Sequence, residues 1–389
     1  MGRTKRKARK RQSYYDYSML ILVIFIVAFG LVMVYSASSF TAQTHDKYGY
    51  DAAFFLKKQA KSALAGAIFM LLVSKLDYRF LLKRIPLTKL KWAPLVFLIA
   101  TFLQGLVLVI GDEVNGAKRW LSIGGFSFQP SEVTKVAVII FASYIIFAQP
   151  EIMKSILGSV KVGIFCALPI ILIVIENLST AIVIVCILGV MCFIASTKGP
   201  RIILVISLFI LLAVGFIIIL YFGEGFRMTR IQIWLDVENH EGGQQILQGL
   251  YAIASGGLFG TGLGQSMQKL GFIPESYNDM IFSIICEELG LCGAIIVMIV
   301  FIMIMWRIYT IASHSPDLFG SLICYGVMAH IAIQVLLNIA VVTNSLPSTG
   351  VPLPFVSYGG SSMLSNFIMI AMLLNISGRR QKAIFIAQE

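Results

Sequence analysis

The sequence predicts an all-α integral membrane protein: a bundle of ten transmembrane helices, both termini cytoplasmic, with a large outer loop between helices 7 and 8. Three observations predict it. Of 389 residues, 58% are hydrophobic and only 13% charged, and the mean hydropathy is +0.87. Apolar runs recur that are long enough to cross about 30 Å of hydrocarbon, where only helices or closed barrels satisfy their own backbone. Lys and Arg, finally, crowd onto alternate connections, which fixes the cytoplasmic side.

The spans are expected at 17–36, 59–76, 92–110, 132–148, 162–175, 179–195, 202–222, 280–306, 318–343 and 361–377. They form one membrane domain, 17–377, between a basic cytoplasmic tail, 1–16, and a short C-terminal tail, 378–389. The first span follows the block Arg3-Thr4-Lys5-Arg6-Lys7-Ala8-Arg9-Lys10-Arg11. That block supplies much of the net charge of +12 and reads as a topological anchor meeting anionic lipid, not as a nucleic-acid site. The run after it is too long for the apolar core of a signal peptide. Cys166, Cys186, Cys192, Cys286, Cys292 and Cys324 all fall in spans without a metal-like spacing and read as packing residues. His45, His240, His314 and His330 are scattered, which disfavours a zinc hydrolase.

Three connections on the outer side are too long and polar to be simple links. Residues 111–131 hold Asn115-Gly116-Ala117-Lys118-Arg119-Trp120 and Phe128-Gln129-Pro130-Ser131-Glu132. Residues 223–278 form the large loop, rich in Gly, Gln and charge, with an amphipathic patch at 245–253 that fits a short interfacial helix. Residues 343–362 carry three prolines and Ser357-Tyr358-Gly359-Gly360-Ser361-Ser362. Connectors of about 2–8 residues would suffice to join neighbouring helices. Gly260-Thr261-Gly262-Leu263-Gly264 lacks the strand, the lysine and the spacing of a nucleotide site and reads as a flexible loop.

Carboxylates concentrate at the eighth span: Glu275 and Asp279 before it, Glu287 and Glu288 inside it. Ionisable groups in a bilayer are costly and are usually retained for function. Asp279 at the helix start can either offset the helix dipole or act as a general base. Glu287 and Glu288, about 12 Å deeper by helical rise, are expected to pair with polar groups of neighbouring helices. Glu132 and Lys135 share one face of the fourth span, either as an internal pair or with Lys135 and Arg119 neutralising a phosphate. One carboxylate base beside cations at the outer leaflet suits displacement at a carbon bearing a lipid diphosphate. The paired carboxylates of a glycosidase are not needed for that.

These motifs, together with Gly30-Leu31-Val32-Met33-Val34-Tyr35-Ser36-Ala37-Ser38-Ser39, Ala254-Ser255-Gly256-Gly257, Glu287-Glu288-Leu289-Gly290 and the run from Gly350 to Ser362, resemble the SEDS proteins, FtsW, RodA and SpoVE, over nearly the whole chain. The tail and the Gly30 motif look more like the division and sporulation branch. The resemblance implies a ten-helix membrane fold and a peptidoglycan glycosyltransferase that polymerises lipid II, an undecaprenyl-diphosphate disaccharide-pentapeptide, at the outer face of the cytoplasmic membrane. It implies a class B penicillin-binding protein as partner, within a division, elongation or sporulation complex. By the same resemblance Asp279 falls on the family's essential aspartate, and Arg119, Gln129, Glu132 and Lys135 on its polar cavity motif. Arg230 and Asp236 match positions of its large outer loop, and Glu275 and Ser357 complete the expected substrate-binding set. A divalent cation could assist the diphosphate, but the sequence shows no dedicated metal ligands. Tyr277-Asn278 stands where the family usually has His-Thr, and Glu176-Asn177-Leu178-Ser179-Thr180 where it often has Pro-Asp-Leu-Gly-Thr, so no catalytic role is carried to Asn177. The other function classes are a lipid II flippase, which ten spans with intramembrane charge also suit, and a non-catalytic scaffold for the transpeptidase.

Overall fold

The computed structural model describes residues 15–86, 88–114, 117–123, 126–197, 201–203 and 226–379. The basic block, Asn115 and Gly116, nearly all of the seventh expected span and the C-terminal tail from 380 lie outside the described residues. The described helices are α1 (Tyr17–Thr44), α2 (Phe54–Val73), α3 (Trp92–Ile110), α4 (Pro130–Ala148), α5 (Ile156–Glu176), α6 (Leu178–Ala195), α7 (Phe226–Leu235), α8 (Gln244–Gly256), α9 (Ile281–Ser313), α10 (Leu318–Val342) and α11 (Gly360–Arg379). Eight of them, all but α2, α7 and α8, are long and apolar enough to cross a membrane. Helix α2 has the length, at 20 residues, but carries Lys57, Lys58 and Lys61 in its first turns.

Burial sorts the bundle into centre and rim. Helices α11, α4 and α10 have 78%, 67% and 61% of their apolar windows buried, whereas α5 has 28%. Ile164, Phe165, Leu168 and Ile171 of α5 are accordingly exposed, an apolar face of the kind lipid covers. Close approach to the centre requires small residues. A Cβ on Gly30 of α1 would lie 2.5 Å from the Phe355 carbonyl oxygen and 2.8 Å from the Val356 Cα. Gly30 is what lets the loop before α11 lie against α1.

Two connections differ from expectation. Between α3 and α4 the chain forms a small antiparallel sheet, β1 (Asp112–Val114), β2 (Ala117–Ile123) and β3 (Phe126–Phe128), in the order β1-β2-β3. Alternation in Ala117–Ile123 is too weak to announce a strand, so sequence reading gives only a polar loop. The amphipathic patch of the large loop, expected to lie along the interface, is α8, which packs along α9. Residues 257–262 then meet the chain at Glu287–Cys292.

That meeting coincides with a break in α9, where Gly290 adopts φ 66° and ψ −170°. The break frees backbone groups, and the loop takes them up. Thr261 N donates to Glu287 O (2.9 Å) and Gly262 N to Glu288 O (3.0 Å); Leu291 N donates to Gly257 O (2.9 Å) and Cys292 N to Leu258 O (3.1 Å). Counting from Ile281, these partners sit about 9–16 Å along α9. The large loop therefore runs back alongside α9, a helix long and apolar enough to cross a membrane, with Leu258, Phe259 and Leu263 exposed at its tip. Irregular backbone alongside such a helix is tolerated in a bilayer only where its polar groups are satisfied, as here.

An ion pair holds the returning segment from the side. Lys269 Nζ lies 2.8 Å from Glu288 Oε1 and 3.0 Å from Ser36 Oγ, and Ser36 Oγ donates to both Glu288 oxygens at 2.6 and 2.8 Å. Glu287 accepts from Ser266 Oγ, from Met267 N at 2.9 Å and from Gln268 N at 3.4 Å. Only Glu288 meets the expected neighbouring helix, through Ser36 of α1; the partners of Glu287 and the cation on Glu288 come from the large loop, where the sequence offered no reason to single out Lys269.

Candidate active site

Asp279 ends a non-helical segment that is stitched into the bundle on several sides. Ser276 Oγ donates to Ala37 O of α1 at 2.9 Å. Tyr358 N donates to Tyr277 O at 2.9 Å. The Tyr277 ring packs on Phe55 of α2 at a centroid distance of 4.3 Å, with Tyr358 against both rings. Tyr277, where the resemblance led to a histidine, is thus a buried aromatic anchor.

The Asp279 side chain is half-buried and makes no helix cap: the residue before Ile281 is Met280, without a side-chain cap hydrogen bond. Burial pushes its carboxyl above the ordinary carboxylate range; Glu275 adds to that, while Arg230 and the backbone N–H groups of Asp279 and Met280 pull the other way. Gly350 lies alongside, where a Cβ would stand 3.7 Å from Asp279 Oδ2. Glu275 is exposed, with φ 48°, and accepts from Asn278 Nδ2 at 2.6 Å.

Two arginines from different elements lie within electrostatic reach of each other beside this segment. Arg230 of α7 donates to Ser348 O at 3.0 Å and lies within electrostatic reach of both Asp279 and Arg119. Arg119 of β2 donates through Nε to Glu176 O at 2.9 Å, and Lys118 N donates to Glu176 Oε2 at 2.8 Å. Burial lowers both guanidinium pKa values, and a neighbouring carboxylate opposes this in each case; arginine remains charged regardless. Glu176 thereby fixes the sheet to the end of α5, and Asn177 caps α6 through its Oδ1, which accepts from Thr180 N at 3.1 Å. The departure at Asn177 has a structural use.

The hydrogen bonds and ion pairs of the remaining expected residues lead elsewhere than to Asp279. Lys135 and Glu132 form an ion pair of 2.8 Å with side chains 2% and 7% exposed. That is the internal-pair alternative, and it leaves the Lys135 ammonium out of reach of a phosphate in this conformation. Ser357 is buried, and its Oγ accepts from Leu353 N at 2.8 Å, stapling the loop instead of facing outward. Gln129 N donates to Ser361 Oγ at 3.0 Å, joining the start of α4 to that of α11. Asp236 binds Asn239 through N (3.3 Å) and Nδ2 (2.9 Å) at the surface. Among the described residues, no three His, Cys, Asp or Glu side chains are grouped to hold a metal ion. Asn338 was missed altogether: it lies inside an apolar span, and its contact with Asp279, taken up below, marks it.

Comparison with known proteins places these features in context. The family model FTSW_RODA_SPOVE, described as "Cell cycle protein", matches residues 16–382. The "Probable peptidoglycan glycosyltransferase FtsW" of Geobacter sp. (strain M18) is 35% identical over 383 residues, covering 96% of this chain and 100% of the relative. The "Stage V sporulation protein E" of Bacillus subtilis (strain 168) is 39% identical over 369 residues, covering 93% and 96%. Among solved structures, a chain from "Structural coordination of polymerization and crosslinking by a peptidoglycan synthase complex" superposes with a TM-score of 0.76 at 23% identity, covering 94% of this chain and 98% of that one. The Rod shape determining protein RodA of Thermus thermophilus gives 0.67 at 24% identity, covering 94% and 97%.

Proposed function

Because this chain belongs to the FtsW, RodA and SpoVE family of cell cycle proteins, we propose that it is a peptidoglycan glycosyltransferase that polymerises lipid II into glycan strands at the outer face of the cytoplasmic membrane. The observation that carries the mechanism is Asp279, a half-buried carboxyl with a raised pKa, within electrostatic reach of Arg230 and Glu275 and with Gly350 alongside. A base of this kind takes a proton from a sugar hydroxyl more readily than a fully solvated carboxylate.

In the proposed step the acceptor hydroxyl gives its proton to Asp279 as its oxygen attacks the donor anomeric carbon. The bond from that carbon to the lipid diphosphate breaks, the configuration inverts to a β-1,4 link, and the diphosphate leaves with the electron pair. Arg119 and Arg230 offset the charge of the leaving group. Lys135, buried against Glu132, supports the polar interior beneath them. No step requires a metal ion held by the protein.

The same reading gives the chain ten membrane helices, both termini cytoplasmic, and the site around Asp279 on the outer side. It assigns a single-span class B penicillin-binding protein as partner and a role in division or sporulation. The test is incubation of the purified protein and its transpeptidase with labelled lipid II. Glycan strands support the enzyme. Transfer of lipid II between leaflets without strands would identify a flippase, and neither activity would leave a scaffold.

A further inference from the structure

Buried polar side chains inside a membrane bundle are expensive unless paired, and α10 carries three of them on one face. His330, Gln334 and Asn338 recur every fourth residue, about 6 Å apart along the helix, and are 0%, 2% and 1% exposed. At the outer end Asn338 Nδ2 donates to two carbonyls at once, Asp279 O at 2.7 Å and Val351 O at 2.9 Å. It joins the segment that carries the base to the loop whose Gly350 lies against the Asp279 carboxylate. At the inner end His330 Nε2 pairs with Asn366 Oδ1 at 3.1 Å, and Lys135 is within electrostatic reach of the ring. Between these ends Asn338 Oδ1, Gln334 Oε1, His330 Nδ1 and Asn366 Nδ2 are buried without a protein partner.

We propose that Asn338 is a positioning residue for Asp279, kept in its clasping rotamer by internal water that it shares with Gln334 and His330. Only one orientation of the Asn338 amide works. With the amide reversed, its oxygen would face two carbonyl oxygens and leave buried polar groups unpaired, which is costly. The oriented amide then turns Oδ1 toward the next rung, where a donor is needed. Gln334 Oε1 needs one too, one turn further in. Buried waters typically make about three hydrogen bonds to such groups, so a short chain of them satisfies the rungs in series and transmits the orientation of one amide to the next. The inference rests on Asp279 being the reacting carboxylate. Asn338 touches no substrate and acts only through the Asp279 and Val351 backbone.

The test compares wild type, Asn338→Ala, Gln334→Met and the double variant in lipid II polymerisation, with hydrogen exchange measured on the same proteins without lipid II. A misplacement of about 1 Å at a reacting group costs on the order of 10²-fold. Asn338→Ala is therefore expected to lower kcat by about that factor with the KM for lipid II nearly unchanged. Gln334→Met, which keeps volume and leaves the clasp atoms in place, is expected to lower kcat by a smaller factor. Since it acts through Asn338, the double variant should be no slower than Asn338→Ala alone. Exchange should rise locally at 275–283 and 349–353. Wild-type kcat in either single variant, multiplicative losses in the double, or an exchange increase spread over the bundle would overturn the proposal. If Asn338→Ala does not fold, Gln334→Met decides by the same local exchange signature. That readout needs no activity, so a wild type that makes no glycan would sink the glycosyltransferase reading and leave this test standing.

Discussion

At the scale of single residues, the account turns on a carboxyl whose charge the fold opposes. A pKa raised on folding means that the unfolded chain ionises first, so stability falls as pH rises through the window above the ordinary Asp value of 3.8 and the penalty persists at neutral pH. Asp279→Asn removes that penalty. It is expected to abolish polymerisation while leaving the melting temperature equal to or above wild type, which scanning calorimetry would check. The acid limb of kcat/KM should lie above the usual carboxylate range, and Arg230→Ala, by deleting the opposing cation, should move it further up. An unmoved limb would remove Arg230 from the electrostatics of the site. Asp279 and Arg119 stood out in the sequence because charge at a membrane boundary is conspicuous, whereas Arg230 entered only through the family resemblance. Lys135 was legible as a charge with two readings, an internal pair with Glu132 or a phosphate partner, and the fold shows the pair, at 2.8 Å. Asn338 was passed over because its recurrence with His330 and Gln334 at every fourth residue lies inside a long apolar run that reads first as a membrane span.

At the scale of elements, helices followed from long apolar runs and their ends were mostly placed to within a few residues; α3 was expected over 92–110 and spans Trp92–Ile110. What could not be read is structure stabilised by distant partners. The three-stranded sheet depends on Glu176 gripping β2, and the returning segment depends on the broken α9 accepting foreign hydrogen bonds. Two predictions belong here. Lys269→Met leaves Glu288 buried without its cation and should cost about 3–5 kcal/mol, whereas Lys269→Met with Glu288→Leu should recover most of it; a melting-temperature cycle reads the difference. In a background freed of native cysteines, Glu275→Cys should react with a membrane-impermeant maleimide and Phe259→Cys should not. Equal labelling would place the loop tip in water.

At the scale of the whole molecule, the polar groups and the lipid face are separated by burial. The enclosed helices α4, α10 and α11 carry the buried Lys135, His330, Gln334, Asn338 and Asn366, while rim helices such as α5 present apolar faces outward. Gly30 tests this organisation, because the α11 loop leans on it. Gly30→Ala forces a Cβ into the Phe355 carbonyl and should lower stability by about 1–3 kcal/mol, visible as a lower melting temperature without a change of topology. Gross architecture was legible because a bilayer imposes it on any sequence this apolar, whereas the site required three separate loops to be folded onto one helix start. The central claim is that Asp279 is the base of a glycosyl transfer, and the most direct measurement is lipid II polymerisation by wild type and Asp279→Asn at matched folding and matched lipid II binding. The account predicts glycan strands from wild type and none from the variant; strands of normal length and rate from Asp279→Asn would contradict it.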